Sequence, residues 1–104
     1  MYIVVFSDKR AAAERASRNI VLGICDHVNG RTMYNGMSIV IDSRNIRIDM
    51  RPADLTKAAG LVTDYVLFYE ASTEFIQEWR YVRGGRYIEL KTLDELIQLV
   101  IKED

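Results

Sequence analysis

An unbroken apolar run from Tyr2 to Phe6, β-branched and aromatic, predicts a buried strand. Ser7 follows directly and is suited to capping a helix that begins near Asp8. From there the period changes. Ala12, Ala16, Ile20 and Ile24 recur every four residues beside Ala13 and Val21, which predicts a helix with a small-residue stripe lying close against a sheet. Gly23 falls in its last turn and leaves the end of that helix open.

Two Asn-Gly pairs, Asn29-Gly30 and Asn35-Gly36, suit tight turns and bracket Arg31 to Tyr34 as a short strand. Met37 to Ile41 is expected to be a second. Past a turn at Asp42 to Asn45, Ile46, Ile48 and Met50 alternate with Arg47 and Asp49, the period of a strand with one wet face. These three strands read as an antiparallel meander.

Pro52 to Ala59 reads as a short helix, with Pro52 in its first turn, Leu55 and Ala59 inward and Gly60 at its end. Tyr65 to Tyr69 is apolar on both faces and belongs in mid-sheet. Ser72 or Thr73 caps a helix carrying Phe75, Ile76 and Trp79, and Gly84-Gly85 breaks the chain before a strand from Arg86 to Leu90. Thr92-Leu93-Asp94-Glu95 is a capping box. The helix it opens has Leu93, Leu96, Ile97, Val100 and Ile101 on one apolar face.

Helices alternating with apolar strands imply right-handed crossovers and a mostly parallel sheet. The expected fold is therefore a single small α/β domain of three layers, α/β/α, with the antiparallel meander as an insertion or edge. Its 104 residues fit one domain, and 49% apolar against 28% charged residues is a globular balance.

The N-terminal apolar run is too short for a signal-peptide core or a membrane span, so no membrane association is expected. Cys25 is the sole cysteine, which excludes an internal disulfide and fits a reducing cytoplasm. Net charge is −1, but Met1 to Arg51 holds eight basic against five acidic residues, and Pro52 to Asp104 holds six against ten. Such a dipole favours an acidic partner on the first half.

The segment from Ile3 to Ala71 resembles part of the P-loop ATPase core of phage terminases and related helicases. The matching elements are VVFSDKRAAAERASRNI, the meander SIVIDSRNIRI, and a run with Leu55, Gly60, Asp64 and Glu70 that approaches a Walker B strand. The resemblance implies a P-loop or Rossmann-like topology in degenerate form, and a phage or mobile-element origin. In that family Glu70 would act as the base toward an attacking water. Here Tyr69 stands where a metal-binding acid is needed, and the chain has no G-x-x-x-x-G-K-[ST] loop to cradle phosphate.

Arg86-Tyr-Ile-Glu-Leu-Lys91 resembles the Glu-x-Lys strand of PD-(D/E)xK nucleases. That likeness implies Mg²⁺ held by Asp64 and Glu89, with Lys91 polarising the reacting phosphate. Charged residues on an amphipathic edge strand are the simpler reading of the same pattern. Cys25, Asp26 and His27 read as the polar end of the first helix, with Cys25 a small buried hydrophobe.

Trp79, Arg80, Tyr81, Arg83, Arg86 and Tyr87 mix guanidinium groups with aromatic rings, a composition that dominates binding energy at protein interfaces. It also suits nucleic acid, but Glu74, Glu78 and Glu89 are interleaved, which favours a protein. The expectation is a non-enzymatic accessory protein that binds a protein partner or its own copy as a dimer. It calls for no cofactor and no metal. An Mg²⁺-dependent nuclease and a nucleic-acid-binding module are the alternatives.

Overall fold

The computed structural model describes residues 1–28, 31–33, 36–58, 60–83 and 85–102. The strands are β1 (Tyr2–Ser7), β2 (Arg31–Met33), β3 (Ser38–Ile41), β4 (Ile46–Pro52), β5 (Tyr65–Phe68) and β6 (Ile88–Leu90). The helices are α1 (Arg10–Ile24), α2 (Leu55–Ala58), α3 (Thr73–Arg83) and α4 (Leu93–Lys102). One six-stranded sheet is formed, in the order β2-β3-β4-β1-β5-β6. The protein is thus a small α/β domain with a mixed sheet.

β4, β1, β5 and β6 are mutually parallel, and β2 and β3 extend the β4 side as an antiparallel hairpin. Taken alone, the parallel strands run second-first-third-fourth in chain order, the flavodoxin-like variant of the doubly wound arrangement. β4 thereby closes the meander on one side and completes the parallel core on the other. The expected antiparallel element is present, but its last strand is an inner strand.

Alternation along β1 divides the interior in two. Ile3 and Val5 point to the side of α1 and α4, where they join Ala13, Ala16, Ile20, Ile24, Leu96 and Val100. Val4 and Phe6 point to the side of α2 and α3, where they meet Ala58, Val66, Phe75 and Trp79. Helices on both faces make the expected three layers.

Several local expectations need correction. α1 begins at Arg10 with Lys9 at the N-cap and no side-chain cap. Ser7 stays in β1, where parallel pairing with β4 extends through Ser7 opposite Pro52. Pro52 likewise ends β4, and Asp54 is what initiates α2, accepting the Thr56 N–H at 3.0 Å. The last strand starts at Ile88, two residues later than the pattern suggested.

α1 runs through Gly23 to Ile24, because Ile97 of α4 packs where a side chain would stand. The Asn29-Gly30 turn, Tyr34, Asn35, Ala59 and Gly84 lie outside the described residues. The two remaining caps form as expected. Ser72 Oγ accepts the Phe75 N–H at 3.3 Å, and Thr92 Oγ1 accepts the Glu95 N–H at 3.1 Å.

Candidate interaction surface where β5 and β6 begin

Because β5 and β6 are parallel, α3 must carry the chain back across the sheet, so its last turn lies at the end where both strands start. Tyr81 and Val82 sit in that turn, Val62 precedes β5, and Ile88 opens β6. Among the described residues five large apolar side chains are exposed, and these are four of them; Leu22 on α1 is the fifth. Tyr81 is 90% exposed.

The six aromatic and arginine positions singled out in the sequence divide by helical phase. Trp79 is only 1% exposed and belongs to the core, which removes it from any contact surface. It follows Phe75 by four residues, so both point at the sheet, and the two rings pack with Phe6 at centroid distances of 4.8 and 4.9 Å. Tyr87 is half-buried against Trp79, with centroids 6.0 Å apart. Burial first, and then the Glu89 charge, push the Tyr87 phenol above its ordinary pKa.

The arginines frame this ring cluster. Arg80 Nη2 donates to Glu89 Oε1 at 2.6 Å while its guanidinium lies over the Phe68 ring at 5.9 Å. Arg83 lies over Trp79 at 5.7 Å, and its Nε, like Trp79 Nε1, is buried without a hydrogen-bond partner among the described residues. Arg86 and Tyr81 are exposed. The exposed residues at this end are therefore Tyr81, Val82 and Arg86 near the aromatic cluster, with Ile88 on the opposite sheet face, that of Leu90.

The residues of the nuclease pattern go to separate partners. Asp64 Oδ2 accepts the Tyr2 N–H at 2.8 Å and Glu89 binds Arg80, while the backbone N–H of Lys91 donates to Glu95 Oε2 at 2.9 Å. Among the described residues no cluster of three metal-ligating side chains occurs. Glu70 lies at the other end of the sheet, where Arg15 Nη2 reaches it at 2.6 Å, and its backbone takes a left-handed φ of 55°. Cys25 is exposed at the end of α1 rather than buried.

One polar cluster escaped the sequence reading. Asp49 was expected on the wet face of β4 but is 5% exposed. Its carboxylate accepts hydrogen bonds from Ser38 Oγ at 2.6 Å, Tyr2 Oη at 2.6 Å and Arg47 Nε at 3.0 Å, with Arg51 at 4.0 Å. Register explains the convergence, since Asp49 pairs with Val4 on one side and Ser38 on the other, and Tyr2 shares the face of Val4. Arg47-x-Asp49-x-Arg51 was the available signal, a carboxylate with a guanidinium two residues away on either side of one strand face.

No protein-family model, curated protein or solved structure matches the chain. No helix among the described residues is long and apolar enough to cross a membrane.

Proposed function

We propose that this is a non-enzymatic accessory protein of phage or mobile-element type, acting in the cytoplasm by binding a protein partner or a second copy of itself through the end where β5 and β6 begin. The observation that supports this reading is the gathering of Tyr81, Val82, Val62 and Ile88 at one end, next to Arg86 and a packed aromatic base. Exposed apolar residues are usually scattered, and a group of them beside arginine and tyrosine is the composition of an energetic contact. Tyr81 is the best single anchor, because a nearly free ring has the most area to lose on binding.

The test is affinity capture from the native host with the wild type and with Tyr81→Asp. A specific protein retained by the wild type and lost with the variant supports the reading. Retention indifferent to Tyr81→Asp removes this surface from it. Nucleic acid retained in place of protein, with affinity falling steeply as salt rises, favours the nucleic-acid-binding module instead.

A further inference from the structure

β6 is the last strand in the sheet order, and among the described residues no strand borders its outer rim. Which of its backbone groups face outward follows from its pairing with β5. Ile88 donates its N–H to the Asp64 carbonyl at 3.0 Å and stands opposite Tyr65 in parallel register. The N–H and C=O of one strand residue point to the same side, and those of the next residue point to the other. Ile88 and Leu90 therefore address β5, while Glu89 presents N–H and C=O outward and the Tyr87 C=O, in the same trans peptide as the Ile88 N–H, also points outward.

The limits of this rim are equally defined. The Lys91 N–H is taken by the Glu95 carboxylate. Gly85, with φ of 76°, leaves the extended conformation on the other side. An added strand can thus form a ladder with Tyr87 and Glu89 and with little else.

Resting on the contact surface proposed above, we infer that the partner there is a second copy of this chain, pairing β6 antiparallel to β6 about a two-fold axis through Ile88. Only this register satisfies the rim. It sets Tyr87 of each copy opposite Glu89 of the other, so that each Tyr87 carbonyl accepts the Glu89 N–H of the other copy, two N–H···O bonds about the axis. A register centred on Glu89 faces two carboxylates and requires the Lys91 N–H, which is occupied. A register centred on Tyr87 requires Gly85 in an extended conformation it does not have. A one-residue slip opposes outward groups with inward ones and sets Arg86 against Lys91.

In the surviving register no charged residue faces another charged residue. Ile88 meets its own copy at the narrow, non-hydrogen-bonded position, where two side chains come closest. This accounts for an isoleucine that is 57% exposed at the start of an edge strand, a place where a charge ordinarily discourages pairing. Tyr87 of one copy comes to lie beside the Arg80–Glu89 ion pair of the other.

The pairing is tested by oxidative cross-linking in a Cys25→Ser background, since Cys25 is exposed. Ile88→Cys is expected to form a disulfide-linked species of about twice the 12.0 kDa chain, because opposed Cα atoms of a narrow pair lie within disulfide range. Glu89→Cys is expected to remain unlinked, its copy being two residues out of register. Sedimentation equilibrium of Ile88→Lys should show the dimer weakened roughly tenfold or more, with like charges placed opposite each other. That side chain is exposed, so an unchanged circular dichroism spectrum controls for folding.

A wild type that stays monomeric up to ~1 mM overturns the pairing. So does cross-linking at residue 89 without cross-linking at residue 88. A monomeric wild type that still loses its captured protein on Tyr81→Asp overturns self-pairing alone and leaves the contact surface standing.

Discussion

The phenol of Tyr2 donates a 2.6 Å hydrogen bond to the carboxylate of Asp49, joining the first residue of β1 to a buried acid on β4. Burial by itself raises a carboxyl pKa. Here the hydrogen bonds from Ser38, Tyr2 and Arg47 outweigh it and hold Asp49 below its ordinary 3.8. A depressed acid stabilises the fold above its unfolded pKa, and that contribution is lost as pH falls through the folded value. Stability should therefore drop as pH is lowered below about 4. Asp49→Asn should lower stability at neutral pH by about 2–4 kcal/mol and flatten this acid limb, as measured by urea midpoints between pH 3 and 7. Tyr2→Phe removes one donor and should cost about 1 kcal/mol.

A Cβ on Gly23 would stand 2.7 Å from Ile97 Cδ1 and 3.1 Å from Ile97 Cγ2. Alanine is the better helix former by about 1 kcal/mol, and the clash opposes that gain. A β-branched side chain has little freedom to turn away in a helix, so the clash wins. Gly23→Ala is expected to be destabilising by about 1 kcal/mol. Ile97→Val takes away the Cδ1 methyl, and adding Gly23→Ala to that variant should be neutral or stabilising. Thermal melts of the four proteins in a double-mutant cycle give the coupling.

What the sequence revealed depended on the range of the interaction. Caps act within four residues, and Ser72 and Thr92 were both legible. So was the unbroken apolar run of β1, since a strand covered on both faces needs no polar positions. The pairing of β4 with β1 was not, because alternation reports which face is wet and says nothing about the neighbour. That missing neighbour is why Asp49 was assigned to solvent: its burial depends on Tyr2, 47 residues away in the chain, and on Ser38, 11 away. Pro52 was assigned to a helix on local preference, yet as the last strand residue it has no further ladder to interrupt. At the candidate surface, composition singled out the segment but not which of its side chains are exposed. Helical phase, with Trp79 four residues after Phe75, was the signal that assigned Trp79 inward and left Tyr81 outside.

Trp79 offers a contrast between volume and polarity. Its ring is enclosed by Phe6, Phe75 and Tyr87, while its Nε1 is buried without a partner among the described residues. Trp79→Ala empties the centre of the second core and should cost about 3–5 kcal/mol. Trp79→Phe keeps most of the packing and removes an unsatisfied donor, whose burial costs about 1–3 kcal/mol in the wild type. The phenylalanine variant is therefore expected within about 1.5 kcal/mol of the wild type in chemical denaturation. A loss as large as that of the alanine variant would show that the indole N–H is satisfied in solution.

Glu70 occupies a backbone conformation that its side chain disfavours. With φ at 55° a residue bearing a Cβ carries a penalty of roughly 1–2 kcal/mol, which glycine avoids. Its ion pair with Arg15 is the opposing gain, but about half of each side chain is exposed, and exposed pairs contribute under ~1 kcal/mol. Glu70→Ala loses the ion pair and keeps the strain, whereas Glu70→Gly loses the ion pair and relieves it. Glycine should thus be more stable than alanine at this position by about 1 kcal/mol, after its extra chain entropy is deducted. The wild type should fall between the two or match the glycine variant. Urea denaturation of the three proteins at neutral pH decides the order, and an alanine variant as stable as the glycine variant would mean that residue 70 leaves the left-handed region in solution.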